Sequence, residues 1–282
     1  MRILALVTLF HPSPEVADNM ASYTSGADAL FLWDNTPGGA VLSLPAEVEK
    51  KIIRYRRGTN VGIGKALNEA VRLLAEAGFT HLLTMDQDSA FVSSTFETYK
   101  RQVAGWQDKR PVVFVPRVNV SRKTPEDWVE ARGFIISGSI FPRFTLSEVG
   151  AFEERLVIDG IDVEYGYRLR RAGGHVVQVS AGELKHELGY PLTKRFLCWH
   201  PVSLNYSPLR VYYIARAFLY LQRAYPEYVD RRLVRKLVWM RPFYIVLMER
   251  QKGSKLLAWF RGVCHGLCGR LERDAYRNQM NR

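Results

Sequence analysis

Two aspartates that are one residue apart, Asp86 and Asp88, directly follow the apolar segment His81–Met85, which predicts a buried strand. Two carboxylates on the turn after a strand can share one hard divalent cation, and Mg²⁺ or Mn²⁺ held there would also bind a diphosphate. The alternative is a pair of surface aspartates that caps the next helix. His186, just after another predicted strand, is a candidate third metal ligand, although a lone histidine is more often structural.

A second acidic group, formed by Asp159, Asp162 and Glu164, precedes an arginine-rich helical turn. Such a cluster can supply a general base that removes the proton from a hydroxyl nucleophile. The alternative is the ordinary enrichment of acidic residues at a helix N-terminus. Glu164 and Arg168 are at i,i+4 spacing, which favours a structural ion pair for Glu164.

Two further segments carry polar residues that could contact a nucleotide. Asp34 ends a predicted strand and could accept a hydrogen bond from the imide N–H of uracil or thymine, or form a plain Asx turn. Residues Asn60–Lys65 form a glycine-containing loop before a helix, which allows close approach to a phosphate or a ribose. This loop matches neither a Walker loop nor G-x-G-x-x-G.

Alternating strands and helices must position these residues. Apolar runs predict strands over Ile3–Phe10, Ala29–Trp33, Lys51–Arg56, His81–Met85, Val112–Pro116 and Val176–Val179. Helical spacing predicts helices over Gly64–Ala77, Phe96–Val103, Pro208–Ala224, Asp230–Met248 and Ser254–Arg273. This alternation predicts an α/β fold with a mostly parallel sheet, whose ligands bind outside the carboxyl ends of the strands. Asp34 and the Asp86/Asp88 pair both fall at such ends.

Composition narrows the class of protein. The chain has 282 residues, 47% hydrophobic and 24% charged, with three cysteines, which excludes a disordered chain, a collagen, a coiled coil and a disulfide scaffold. No apolar segment reaches the roughly 18–20 residues that a membrane-spanning helix needs. The few cysteines suit a reducing compartment, so we expect a cytoplasmic protein.

The net charge of +12 is unevenly distributed. Residues 231–282 hold 13 Lys and Arg against 3 Asp and Glu, whereas residues 1–230 hold 27 against 25. The basic residues of this segment, among them Arg241 and Lys255, are interleaved with apolar side chains. This mixture is typical of helices that lie on an anionic membrane surface. The alternative is packing on the domain formed by the preceding residues, or a dimer contact. The near-neutral first 230 residues argue against nucleic-acid binding.

The ordered set of motifs resembles the inverting glycosyltransferases of family 2, which have the GT-A fold, and especially their L-rhamnosyltransferase-like branch. The matching stretches within residues 1–225 are Trp33–Thr36, Asn60–Asn68, Leu83–Ser89, Ser137–Ser139, Gly150–Glu154, Ile158–Arg170, His186–Gly189 and Arg210–Arg216. We therefore predict a nucleotide-sugar-binding GT-A domain over residues 1–205. Residues 206–282 are predicted to form a helical, basic, membrane-associating region.

The resemblance also implies roles for single residues. Thr8 and Asp34 would line the nucleobase pocket, with Asn60 and Lys65 near the nucleotide. Asp86 would face the ribose, Asp88 would bind the metal, and His186 would be a third ligand. Asp162 matches the carboxylate of the family's Glu-Asp motif and is the predicted catalytic base. Ile161 replaces the usual Glu, which leaves open whether Asp159 shares that role.

The implied activity is metal-dependent, with Mg²⁺ or Mn²⁺. The donor would be dTDP-L-rhamnose or, alternatively, a UDP-sugar. The acceptor would be a hydroxyl of a saccharide or lipid-linked saccharide in bacterial surface polysaccharide synthesis, at the inner face of the cell membrane. A different metal-dependent nucleotidyl or phosphoryl transferase is the remaining alternative, and it would not need the second carboxylate cluster.

Overall fold

The computed structural model describes residues 1–56, 58–119, 126–186, 192–193 and 202–271. The chain forms two compact units. The first unit consists of Met1–Glu153 and Tyr165–Glu187, and the second of Glu154–Glu164 and Leu188–Met280. Among the described residues, no helix combines the length and apolar character needed to cross a bilayer.

The first unit is a mixed sheet with helices. Its strands are β1 (Ile3–Leu9), β2 (Ala29–Asp34), β3 (Ile52–Arg56), β4 (His81–Asp86), β5 (Ser89–Phe91), β6 (Val112–Val118), β7 (Trp128–Glu130), β8 (Ser139–Pro142) and β9 (His175–His186). Its helices are α1 (Val16–Thr24), α2 (Ala46–Glu49), α3 (Ile63–Glu76), α4 (Thr95–Ala104) and α5 (Arg143–Val149), together with most of α6 (Ile161–Arg171), which begins in the second unit.

Over the described residues, the strand order is β3-β2-β1-β4-β8-β6-β9-β5, with β7 beside β9. The strands β3, β2, β1 and β4 are parallel to one another, as is β6 to β9, whereas β8, β5 and β7 pair antiparallel. The predicted α/β fold is confirmed. Its central strand β1 is a continuous apolar run whose residues from Ile3 to Val7 are all fully buried, as expected for a strand covered on both faces.

Strand register brings the candidate residues to one edge of this sheet. Thr8 of β1 lies opposite Asp86 of β4, and Leu9 lies opposite Asp34 of β2, so three strands end at the same edge. The short strand β5 then pairs with β9 and sets Ser89 opposite His186. Residues that are far apart in sequence thus meet where the strands end.

The second unit is mainly helical. Its elements are β10 (Leu192–Thr193), β11 (Val202–Ser203), α7 (Pro208–Ala224), α8 (Arg231–Val234), a π-helical segment (Arg235–Trp239), α9 (Arg241–Met248) and α10 (Lys252–Leu267). The helix α7 has the predicted bounds, with Ser207 capping its first turn. Two glycines of α10, Gly262 and Gly266, allow close packing, because a Cβ on either would lie within 3 Å of a backbone oxygen of α7.

The prediction of one helix over Asp230–Met248 is wrong. Instead of one helix, this range contains α8, the π-helical segment and α9 in succession. Pro242 lies in the first turn of α9, where its missing N–H costs no helical hydrogen bond. The last helix, predicted over Ser254–Arg273, corresponds to α10, which begins at Lys252 and ends at Leu267. The predicted end at Arg273 lies outside the described residues.

A buried ion cluster joins the helices of the second unit. Glu249 is fully buried, and its two carboxylate oxygens lie 2.8 Å from Arg241 Nη2 and 2.8 Å from Lys255 Nζ. Ser203 donates a hydrogen bond to Glu249, and Lys255 donates another to Asn205 at 2.7 Å. Arg241 and Lys255, which the sequence predicts to be surface cations of the membrane-associating region, therefore face inward.

Candidate active site

Asp86, Asp88 and His186 form a compact group at the carboxyl end of β4. One ligand atom from each residue lies within 4.8 Å of the others, and Asp88 Oδ1 is 3.3 Å from His186 Nδ1. Asp86 is the last residue of β4, Asp88 lies in the turn to β5, and His186 ends β9. The pairing of β5 with β9 closes the group, so the three predicted metal ligands are brought together.

The chemistry of this group fits a divalent cation. Asp88 Oδ1 is a buried carboxylate oxygen with no hydrogen-bond partner among the described residues. A buried polar atom without a partner is costly, and a cation would satisfy it. The rest of the Asp88 side chain is 41% exposed, which leaves a route for an incoming ligand. Two carboxylates suit Mg²⁺ or Mn²⁺, and an imidazole is a common further ligand.

Neighbouring side chains hold the turn that carries the two aspartates. The Gln87 amide accepts from the Phe10 N–H at 2.6 Å and donates to the Phe10 carbonyl at 3.1 Å. Asn19 donates to the Gln87 carbonyl at 2.9 Å. Gln87 therefore ties the turn to the end of β1. Thr8, predicted to line a nucleobase pocket, donates its hydroxyl proton to Asp86 Oδ1 at 3.1 Å.

Three other residues are predicted to contact a nucleotide, namely Asp34, Asn60 and Lys65. Asp34 is fully buried, and its two oxygens accept from the N–H groups of Thr36 at 2.8 Å and Ala40 at 2.5 Å. The bond from Thr36, two residues on, is that of the Asx turn that was the alternative for Asp34, and the bond from Ala40 lies outside that turn. Asn60 accepts from the Gly62 N–H at 3.1 Å, and Lys65 is a half-buried residue in the first turn of α3.

Asp159 and Asp162 belong to the second unit. Arg210 donates two hydrogen bonds to the Asp159 carboxylate, at 3.2 and 3.1 Å. Burial raises the pKa of Asp159, and Arg210 acts in the opposite direction. Asp162 lies in the first turn of α6 and accepts from the Val163 N–H at 2.8 Å. The helix dipole at this position stabilises a carboxylate.

Comparisons with known proteins agree with the fold and the motifs. No protein-family model matches the chain. The sequence is 26% identical over 209 residues to the dTDP-rhamnosyl transferase RfbF of Shigella flexneri, an alignment that covers 67% of this chain and 69% of RfbF. The structure of S. aureus TarS residues 1–349 with UDP-GlcNAc superposes with a TM-score of 0.54 and 12% identity, covering 100% of this chain and 90% of that one.

A third similar protein is GalNAc-T7, solved with UDP, GalNAc and Mn²⁺. It has a TM-score of 0.54 and 14% identity, and the match covers 84% of this chain. The match spans 53% of the GalNAc-T7 chain, about half its length. The chain is a glycosyltransferase of the GT-A fold.

One cavity of this glycosyltransferase lies away from the Asp86/Asp88/His186 group. A cavity of about 330 Å³ is lined by Met1, Thr80, His81, Trp106 and other residues at the amino end of β4. Asp86 is at the opposite, carboxyl end of the same strand. Ligands of open α/β sheets bind at carboxyl ends, which makes the Asp86/Asp88/His186 group the candidate active site.

Sequence reasoning assigned no role to several residues that contact this group. Ser89 Oγ lies 2.7 Å from His186 Nδ1, and the Ser137 hydroxyl donates to Ser89 Oγ at 2.8 Å. Asn119 hydrogen-bonds the backbone of His186. Ser89 and Ser137 both lie in stretches that carry the family resemblance, which is the only feature of the sequence that could have identified them.

Proposed function

We propose that the protein transfers a sugar, with inversion, from a nucleotide-sugar donor to a hydroxyl of a saccharide or lipid-linked saccharide. The proposed donor is dTDP-L-rhamnose, and a UDP-sugar is the alternative. The observation that supports this function best is the meeting of Asp86, Asp88 and His186 at the carboxyl edge of a GT-A sheet. The choice of dTDP-L-rhamnose follows from the similarity to RfbF, and the alternative from TarS, whose structure contains UDP-GlcNAc.

Asp86, Asp88 and His186 would hold Mg²⁺ or Mn²⁺. When bound, such a cation supplies a Lewis acid that stabilises negative charge on the diphosphate leaving group. Thr8 fixes one Asp86 oxygen by its hydrogen bond, which limits how the carboxylate can rotate. Asn60 and Lys65 are the proposed contacts to the nucleotide. Asp34, whose two oxygens accept from the N–H groups of Thr36 and Ala40, is proposed to line the nucleobase pocket by shaping this turn.

Asp162 is the proposed catalytic base. It would accept the proton of the acceptor hydroxyl as that oxygen attacks the anomeric carbon, because a sugar hydroxyl is a poor nucleophile at neutral pH. Asp159 is less suited, since its carboxylate already forms a two-point ion pair with Arg210. We therefore give Asp159 the task of holding Arg210 rather than of accepting the proton.

A panel of activated sugars tests the donor and the reaction. Purified protein is incubated with dTDP-L-rhamnose, UDP-GlcNAc, UDP-glucose or GDP-mannose, with Mn²⁺ or with EDTA, and the release of nucleoside diphosphate is measured. We expect release from dTDP-L-rhamnose that depends on Mn²⁺. Preference for a UDP-sugar would select the alternative donor. Release that EDTA does not affect, or none from any donor, would contradict the proposed function.

The second unit carries a surface that we propose binds an anionic membrane. Exposed large apolar side chains of its C-terminal helices include Trp239, Met240, Phe243 and Val246 between residues 239 and 246, and Leu257, Phe260 and Leu267 on α10. Exposed basic residues flank them, namely Arg231, Arg232, Arg235, Lys236, Arg250 and Lys252. Anionic lipid matches this charge, and each basic residue near such a surface contributes about 1 kcal/mol. This would bring the enzyme to a lipid-linked acceptor at the inner face of the cell membrane.

Flotation with vesicles tests the membrane surface. We expect the full chain to float with vesicles containing phosphatidylglycerol and much less with pure phosphatidylcholine. The double variant Phe243→Ser, Phe260→Ser should lose flotation, while Val41→Ser, at an exposed position of the first unit, should retain it. Unchanged flotation of the double variant would contradict the proposal, and its conversion from dimer to monomer would assign the surface to self-association instead.

A further inference from the structure

His186 is fixed from two sides by residues other than the candidate ligands. Ser89 lies opposite His186 in the β5–β9 pairing and hydrogen-bonds its ring at Nδ1, over 2.7 Å. The Asn119 amide donates to the His186 carbonyl at 2.7 Å and accepts from the His186 N–H at 3.0 Å. Ser89 therefore holds the ring of His186, and Asn119 holds its backbone.

A chain of buried hydroxyls continues from His186 to Asp86. The Asp86 N–H donates to Ser137 Oγ at 3.0 Å, and Ser137 donates its own proton to Ser89 Oγ at 2.8 Å. Both serine side chains are fully buried. Because buried hydroxyls rarely stay without partners, removing one of them leaves its neighbour unsatisfied. The chain thus couples the backbone of one candidate ligand to the ring of another.

We infer that Ser89 and Ser137 are positioning residues, which hold the His186 ring and the Asp86 backbone at the mutual distance that a divalent cation requires. This inference rests on the proposed function, because it needs Asp86, Asp88 and His186 to bind the cation. Residues that hydrogen-bond metal ligands from behind orient them, and replacing one typically lowers metal affinity about 10–100-fold. Neither serine needs to touch the cation or the donor.

Titration calorimetry of Mn²⁺ into the full-length protein tests this inference. We expect the Ser89→Ala variant to bind Mn²⁺ about 10–100-fold more weakly than the wild type. Ser139→Ala is the matched control, since Ser139 is also fully buried but donates to the Ile135 carbonyl at 2.6 Å. It should keep wild-type affinity for Mn²⁺. Thermal unfolding without metal checks that each variant folds.

The outcomes separate this inference from the proposed function. Wild type that binds no Mn²⁺ would contradict the proposed metal site itself. Wild type that binds Mn²⁺, with Ser89→Ala binding within twofold of it, would overturn the positioning role alone. An equal loss of affinity in Ser139→Ala would overturn it too, because the effect would then be one of general packing. If Ser89→Ala does not fold, Ser137→Ala is measured in its place with the same expectation.

Discussion

Replacing Glu249 by Gln tests the buried ion cluster that joins the C-terminal helices. Glu249 is the carboxylate shared by Arg241 and Lys255, each at 2.8 Å, and neither Glu249 nor Lys255 has appreciable exposure to water. The substitution keeps the shape of the side chain and removes its charge. Breaking a buried ion pair from one side costs about 3–5 kcal/mol, because the remaining charge stays buried without a counterion. Here two cations lose their partner, so we expect a loss at the upper end.

Urea unfolding measured by tryptophan fluorescence provides the assay. Trp259 reports on the same unit, since its indole N–H donates to the Val238 carbonyl at 2.8 Å. The control is Glu76→Gln, which removes the same charge from a 2.7 Å pair with Arg72 whose side chains are about half exposed. Exposed pairs contribute at most about 1 kcal/mol. Equal losses for the two variants would refute the reasoning.

Three further predictions concern the base, the pH dependence and the helix packing. Asp162→Asn should retain donor binding in calorimetry but lose at least about 100-fold in kcat, and unchanged kcat would reject Asp162 as the base. Burial lowers the pKa of His81 to about 4 from 6.5, so the unfolded chain takes up a proton first as pH falls. The free energy of unfolding should therefore drop between pH 6.5 and 4, by up to about 3 kcal/mol, and His81→Gln should lack this component in urea titrations. Gly262→Ala, whose Cβ would lie 2.5 Å from the Tyr212 carbonyl oxygen, should destabilise by about 1–3 kcal/mol, whereas Gly253→Ala, with open space around it, should not.

The sequence predicts the parts of the fold that local pattern determines. The strands β1, β2 and β4 are continuous apolar runs, and α3 has an apolar stripe that is buried as expected. The short strands β5 and β8 were not predicted, because three or four residues carry no recognisable period. Without β5, nothing in the sequence shows that Ser89 meets His186 across 97 residues. The sequence alone therefore offers His186 as a lone histidine after a strand, and the resemblance adds its role as a third ligand.

Two assignments show what pattern cannot resolve. An Asp at a strand end has the same sequence pattern whether it forms an Asx turn or binds a nucleobase, and the structure shows backbone amides on both Asp34 oxygens. Arg241 and Lys255 have the spacing of surface cations, yet both form ion pairs with the buried carboxylate of Glu249. Such pairings depend on tertiary contacts between segments and not on the period of any one helix.

Calorimetric titration of Mn²⁺ in the presence of dTDP, on wild type and on Asp88→Ala, tests the central claim most directly. Asp18→Ala, an acidic residue of α1 outside the group, serves as the control. We predict one saturable Mn²⁺ site in the wild type and in Asp18→Ala, and none in Asp88→Ala. That variant removes the buried oxygen that has no hydrogen-bond partner in the described part of the chain. Equal Mn²⁺ affinity in wild type and Asp88→Ala would contradict a metal centre at the end of β4.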